Sequence, residues 1–289
     1  DSLRQDYLGA YNPRARFTPA LDAFAREAAV FRRAFTDYGG TVLAEPAVWT
    51  GALLPQLRYP APFAPLNSLQ RLLDHEGYRR HLTDDVVLQS ILERRPDDAF
   101  LDPAALGMNR FCPAVEDLSR RLSAPGGLTR PVFAFLQPHN LHIAVRNREG
   151  ARAPKSGVYA GFDAEYAFRL EEVDACFGRF VRMLKARGLY EDSVIVLTSD
   201  HGESLGEQGR WGHGFALSPE VLRVPLIIRV PSRLLQGRGA DLDAPAFLTD
   251  LSPTLYELLG HGPLRRHALF GRPLFSRAPA AWSLWASRP

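Results

Sequence analysis

The stretch Ser193-Val194-Ile195-Val196-Leu197-Thr198-Ser199, running directly into Asp200-His201-Gly202-Glu203, decides the reading of this chain. Five neighbouring residues of it are apolar or β-branched, which is the pattern of a strand buried on both faces. The strand ends on a carboxylate beside an imidazole. In open α/β sheets, reactive groups collect beyond the carboxyl ends of the strands. Asp200 and His201 therefore become candidates for a shared cation, because imidazole is the commonest metal ligand and Asp adds negative charge. Gly202 lets the backbone turn tightly behind them. The plain alternative is an Asp that caps the next segment, with a structural His beside it.

Working outward, short apolar runs alternate with helical patterns, which predicts βα units and a largely parallel sheet. Val224–Val230 reads as a second buried strand, with Pro225 at its start, where a missing N–H is tolerated. Pro131–Gln137 reads as a third, leading into a loop that carries His139 and His142. A helix is expected from Pro19, with Thr18 as its cap and Leu21, Phe24, Ala25, Ala28 and Phe31 on one face. A second begins near Asn67 or Ser68 and carries Leu69, Leu72 and Leu73. Gly77 ends it, and a short strand over Tyr78–Leu82 follows. A long amphipathic helix buries Leu170, Val173, Phe177, Val181 and Leu184 and stops at Gly188. Another helix spans Pro253–Leu259. Asn147–Gly161 reads as a surface loop.

Two further features carry chemistry. Gly206, Glu207, Gly209 and Gly212-His213-Gly214 form a glycine-rich loop hung on the strand, with His213 on it. Gly39-Gly40-Thr41 precedes a helical pattern from Val42 to Leu54. A hydroxyl at a helix N-terminus faces unpaired N–H groups and the positive dipole end, a place suited to an anion. Thr41 could equally be a simple N-cap.

The composition sets bounds. The 289 residues allow one large α/β domain or two smaller ones. The 46% hydrophobic and 23% charged content is that of a folded chain. A net charge of +3 suits an anionic substrate; the arginines are scattered, so nucleic acid is not expected as a partner. No run approaches the roughly 18 apolar residues of a membrane span, and no signal peptide is visible. Cys112 and Cys176 show no CxxC spacing and are expected to be buried free thiols unless the fold brings them within disulfide range.

Several segments together resemble the sulfatase-like branch of the alkaline phosphatase superfamily, over nearly the whole chain. Asp1-Ser2-Leu3-Arg4 with Asp6-Tyr7-Leu8-Gly9 is similar to its DSLRxDxLG opening, and Thr18-Pro19 through Asp22 and Phe31 to the helix that follows. Ser199 to Glu203, Leu205-Gly206-Glu207 and His213-Gly214 resemble its SDHGExLGE…HG signature. Arg223–Ile228 resembles its RVPLII strand, and Asp250–Leu255 its DLxPTL helix start.

The resemblance implies an α/β fold with a central, mostly parallel sheet flanked by helices on both faces, forming one catalytic domain over 1–289. A strand is expected upstream of Asp1, and the sequence leaves the location open, including an extracytoplasmic or membrane-associated one set by an upstream segment. Sulfatases of the formylglycine type carry C-x-P-S-R and then Thr-Gly nine residues after the Cys. Counting back from Thr50-Gly51 reaches Thr41, with Leu43, Ala44 and Glu45 where the motif has Pro, Ser and Arg. Threonine cannot become formylglycine. The arrangement is instead similar to the lipoteichoic acid synthases and lipid A phosphoethanolamine transferases. Their metal-bound Thr nucleophile and acid, Asp and His ligands match Thr41, Asp1, Asp200 and His201.

The implied activity is phosphoryl-type transfer or hydrolysis on a phosphate ester, borne on a lipid or glycan head group. It would need one divalent ion, Zn²⁺ or Mn²⁺ before Mg²⁺ or Ca²⁺, and no organic cofactor. His142 resembles the family His of an HxP segment, although Ile143-Ala144 replace x-Pro; the frame allows His139 instead. His213 is a further candidate substrate contact. A sulfuric ester hydrolase and a catalytically silent anion-binding relative are the competing readings.

Overall fold

The strands alternate side chains between two apolar layers, and that alternation builds the molecule. The computed structural model describes residues 1–54, 59–101, 109–142, 157–262 and 270–276. The strands named below are β1 (Ala29–Val30), β2 (Ala34–Phe35), β3 (Arg79–Thr83), β4 (Ala99–Leu101), β5 (Val132–Phe135), β6 (Ile195–Thr198), β7 (Ser204–Leu205), β8 (Trp211–Gly212), β9 (Leu226–Arg229) and β10 (Ala246–Phe247). The helices are α1 (Pro19–Ala25), α2 (Thr41–Thr50), α3 (Ser68–His75), α4 (Val86–Ile91), α5 (Phe111–Ser123), α6 (Ala164–Ala186), α7 (Pro219–Leu222) and α8 (Leu251–Leu258).

In β5, Val132 and the following Leu136 pack on one core, while Phe133 and Phe135 pack on another. In β6, Ile195 and Leu197 face the first core, and Val196 faces a third with Ile228 of β9. Helices α1, α5 and α6 cover the first side through Leu21, Phe24, Leu118, Leu170 and Phe177. Helices α2, α3 and α4 cover the other through Trp49, Leu69, Leu73 and Leu88. The fold is thus α/β with helices on both faces. β3 runs parallel to β4 and β5, and β10 parallel to β2. The strand leading to Asp200 has an antiparallel neighbour: β9 pairs antiparallel with both β6 and β1.

Several expectations need correction. Helix α1 stops at Ala25, so Ala28 and Phe31 do not continue its face; β1 starts at Ala29 and pairs with β9. Phe31 is buried instead in the third core, with Ile228. The cap of α1 comes from afar: Asp174 of α6 accepts hydrogen bonds from the Ala20 and Leu21 N–H groups at 3.1 and 2.7 Å. The Thr18 hydroxyl instead accepts from Gly9 N–H. Cys112 and Cys176 are not free thiols. They form a disulfide between α5 and α6, which pack side by side with Cα atoms 5.4 Å apart.

Elsewhere the strand and helix positions agree within a residue or two, except that α2 stops at Thr50, short of Leu54. Pro46 lies inside it and Gly51 closes it at φ +68°. Residues 147–156 of the expected surface loop lie outside the described residues; 157–159 form a 3₁₀ turn. Among the described residues no helix is long and apolar enough to cross a membrane.

Candidate active site

Chain geometry around the end of β6 brings residue 1 beside residue 200. The Ser199 hydroxyl accepts Leu3 N–H at 2.8 Å and donates to the His201 carbonyl at 2.7 Å. Tyr166, fully buried on α6, accepts Arg4 N–H and donates to the Ser2 carbonyl at 2.6 Å. Burial pushes its phenol well above the ordinary range. Behind Asp200-His201, a Cβ on Gly202 would sit 2.1 Å from the Glu220 carbonyl oxygen, so only glycine permits the close approach of the α7 backbone.

Thr41 is the first residue of α2, and extended Gly40 is its N-cap. The alternative of a capping Thr41 side chain is therefore not realised. Its hydroxyl donates to Asp200 Oδ2 at 2.7 Å and lies 3.2 Å from His201 Nε2. His201 Nε2 is 3.4 Å from Asp200 Oδ2 and 3.5 Å from Asp1 Oδ1. Four side chains separated by up to two hundred residues thus meet at one point.

The donor set fits a divalent cation. Ligand atoms of Asp1, Asp200 and His201 lie within 4.8 Å of one another. His201 Nδ1 is taken up by the Gly202 carbonyl at 2.8 Å, which leaves Nε2 turned toward the carboxylates. A second ring nitrogen held in this way fixes the tautomer of metal-ligating histidines. One imidazole, two carboxylates and a hydroxyl form a mixed N/O set of the kind Zn²⁺ and Mn²⁺ accept. Burial opposes ionisation of Asp200, but the neighbouring His201 and the Thr41 hydroxyl hold its carboxyl below the usual range. Burial lowers the His201 pKa, which favours the neutral ring that a metal requires.

Around this point stand the other three candidate histidines. His139 Nε2 and His142 Nδ1 each lie 3.9 Å from Asp1 Oδ2, so both reach the site and neither displaces the other. His213 Nδ1 is 3.0 and 3.1 Å from the two carboxylate oxygens of Glu203. The His201 and His213 rings are 4.0 Å apart. His142, Glu203 and His213 also hold ligand atoms within 4.8 Å of one another, adjoining the first group. Ile143-Ala144 lie outside the described residues.

Several participants were not singled out by sequence reasoning. Gln137 Nε2 donates to Asp200 Oδ2 at 3.2 Å; its place at the end of the β5 run, before Pro138, was the available signal. Ser2, held at φ +61°, donates to Asp1 Oδ1 at 2.8 Å and Glu203 Oε2 at 3.0 Å. A non-glycine residue in that region is uncommon and belongs to over-determined sites. Arg4, 6% exposed, ties Asp6, the Glu203 carbonyl and Glu207 together. Glu45, at the motif position of Arg, is 1% exposed; neither carboxylate oxygen has a hydrogen-bond partner among the described residues. Burial, with Asp85 and Asp200 nearby, raises its pKa well above the usual range. A cavity of about 230 Å³ opens beside His213, lined by Arg210, Trp211 and Phe215 among others.

Comparisons with known proteins agree with this architecture. Over 84 residues the chain is 42% identical to the low-salt glycan biosynthesis sulfotransferase Agl7 of Haloferax volcanii, covering 27% of this chain and 19% of that protein. The chain therefore matches less than a fifth of that relative's length. The fold is shared with lipoteichoic acid synthase LtaP of Listeria monocytogenes, at TM-score 0.65, 18% identity and coverage of 94% and 73% of the two chains. It is shared also with lipooligosaccharide phosphoethanolamine transferase A of Neisseria meningitidis, at TM-score 0.65, 18% identity and coverage of 89% and 53%. The family model described as Sulfatase matches residues 1–261. On that match the chain belongs to the sulfatase family, within the alkaline phosphatase superfamily.

Proposed function

We propose that the chain is the catalytic part of a metal-dependent hydrolase or transferase that acts on phosphate esters, with Thr41 as nucleophile. The observation that carries this reading is the Thr41 hydroxyl 2.7 Å from Asp200 and 3.2 Å from His201, at the positive end of α2. Asp1, Asp200, His201 and the Thr41 oxygen would hold the ion. Such an ion, when bound, lowers the pKa of a coordinated hydroxyl and offsets charge on a phosphoryl group.

The remaining chemistry belongs to the chain. Asp200 Oδ2 orients the Thr41 hydroxyl and holds its proton. Gln137 and Ser2 fix the two carboxylates that face it. Thr41 oxygen forms a bond to phosphorus as the ester oxygen departs, and the proton taken from Thr41 balances the one the leaving alcohol needs. His139 and His142, on the Asp1 side, are placed to meet that leaving oxygen. The Nδ1 contact of His213 with Glu203 leaves Nε2 as its second functional atom. Water or an acceptor alcohol then releases the group from Thr41. The substrate class is an anionic ester on a lipid or glycan head group, in keeping with the lipoteichoic acid synthase and lipooligosaccharide phosphoethanolamine transferase whose fold the chain shares.

A sulfuric ester hydrolase is the second reading, favoured by family membership alone. Threonine at position 41, and Glu45 in place of the motif arginine, weigh against it. The Cys112–Cys176 disulfide supports an oxidising, extracytoplasmic compartment. The test is side-by-side turnover of bis(p-nitrophenyl) phosphate and p-nitrophenyl sulfate by Zn²⁺- or Mn²⁺-loaded protein, with intact-mass detection of a phosphoryl adduct that maps to Thr41. Turnover of the sulfate ester alone, with no adduct, would overturn the proposal.

A further inference from the structure

Away from Thr41, two helices end against one another. Helix α3 closes at Glu76, with Gly77 at φ +71° and Tyr78 N–H donating to the Leu73 carbonyl at 2.9 Å. Helix α8 closes at Leu259, with Gly260 at φ +84° and His261 N–H donating to the Tyr256 carbonyl at 3.0 Å. Both are Schellman ends, which fix the backbone of the residues at the helix terminus. The Tyr256 hydroxyl donates to the Ser68 carbonyl at 2.9 Å and ties the second helix to the start of the first.

This junction brings His75, Glu76 and His261 together. His261 Nε2 lies 2.8 Å from Glu76 Oε1, and His75 Nε2 lies 3.8 Å from the same oxygen. The two imidazole rings are 5.5 Å apart, and the three ligand atoms fall within 4.8 Å of one another. In a tetrahedral zinc site with bonds of about 2.0–2.2 Å, ligand atoms are about 3.3–3.6 Å apart. The two measured separations bracket that spacing, so small side-chain rotations of solvent-accessible groups would close the shell. The C-terminal ends of two helix dipoles also point here, and both favour a cation. Two imidazoles and one carboxylate select a zinc-like ion over Mg²⁺ or Ca²⁺, which prefer oxygen ligands.

We propose that His75, Glu76 and His261 form a second divalent-metal site of zinc type, separate from the Asp1–Asp200–His201 centre, that staples the C-terminus of α3 to that of α8. Leu69 and Leu73 of α3 share one apolar cluster with Trp49 of α2, and Leu255 of α8 packs against it. The staple therefore secures the two helices that carry α2, whose first residue is Thr41. A fourth ligand is water, which leaves the ion exchangeable.

The experiment is zinc stoichiometry on the whole chain after chelation, at a few-fold molar excess of Zn²⁺, for the wild type, His261→Gln and the double variant His75→Gln/His261→Gln. Each variant is expected to bind one equivalent fewer than the wild type and to retain its activity. Zinc-soaked crystals should show an anomalous peak between the two imidazoles. Zinc should also raise the unfolding midpoint of a Asp200→Asn/His201→Gln protein, and this rise should vanish when His261→Gln is added. Equal stoichiometry in wild type and His261→Gln, with no peak at the junction, overturns the proposal and leaves the Thr41 site untouched.

Discussion

Removing the Thr41 hydroxyl tests the proposed chemistry most directly. In Thr41→Ala, Asp200 loses its 2.7 Å donor but keeps Gln137 Nε2 at 3.2 Å, so its carboxylate is not stripped of partners. The expected loss of stability is about 1.5–3 kcal/mol, that of one hydrogen bond to a charged acceptor. Asp1, Asp200 and His201 remain to hold an ion, so metal content should stay unchanged. Catalysis should fall far more. Deleting a covalent nucleophile costs on the order of 10⁴–10⁶ in kcat, roughly 5–8 kcal/mol of barrier at 1.36 kcal/mol per decade.

Thr41→Ser keeps an oxygen at the same place and should lose less than about a hundredfold, the scale of a mispositioned but intact group. The assay is hydrolysis of bis(p-nitrophenyl) phosphate, with metal content and urea unfolding measured on the same preparations. If Thr41→Ala, with full metal content, turned over within about tenfold of wild type, the assignment of the nucleophile would be refuted. A collapse in metal content would place Thr41 among the essential ligands instead, and the adduct experiment would then decide its second role.

Further expectations concern the scaffold. Arg80 and Asp98, each 1% exposed at the side chain, pair at 2.7 and 2.9 Å. Arg80→Met should therefore destabilise by about 3–5 kcal/mol by stranding a buried carboxylate, and Arg80→Met/Asp98→Leu should recover much of this; a loss under about 1 kcal/mol in urea unfolding would count against the pair. Burial pushes Asp174 from 3.8 to about 6, against the pull of the Leu21 and Ala20 N–H bonds. Its folded pKa is raised, so the stability it contributes is complete below 3.8 and is lost as pH rises through about 6. Asp174→Asn should flatten that part of the urea-midpoint profile between pH 4 and 7, and an unchanged slope would refute the assignment. Cys112 and Cys176 are 64 residues apart in the chain, which by loop closure corresponds to about 4 kcal/mol, so Cys112→Ala/Cys176→Ala should show a markedly lower thermal midpoint that no longer responds to reductant.

Local pattern was enough to read several of the elements, though not α4, α5 or the short strands β1, β2, β4 and β10. The run Val194–Thr198 became β6, Asn67 capped α3 through its side chain, and Gly188 followed the end of α6, because strand periodicity, capping and glycine stops act over a few residues. Motif order likewise pointed to the family without any coordinates. Short-range rules, however, overran α1 into Ala28 and Phe31, because the pairing of β1 with β9, almost two hundred residues away, ends the helix sooner.

The candidate site divides in the same way. Strand-end reasoning and motif spacing could nominate Asp200, His201, Thr41 and the three other histidines, since each sits at a recognisable local punctuation mark. Only packing decided that the Thr41 hydroxyl reaches Asp200, that Glu203 takes His213, and that Ser2 and Gln137 steady the carboxylates. The disulfide between α5 and α6 and the cap that Asp174 lends to α1 arise likewise from helices laid side by side. A sequence states which groups are present and what local backbone they prefer; distances between groups far apart in the chain are set by burial of the apolar layers that separate or join them.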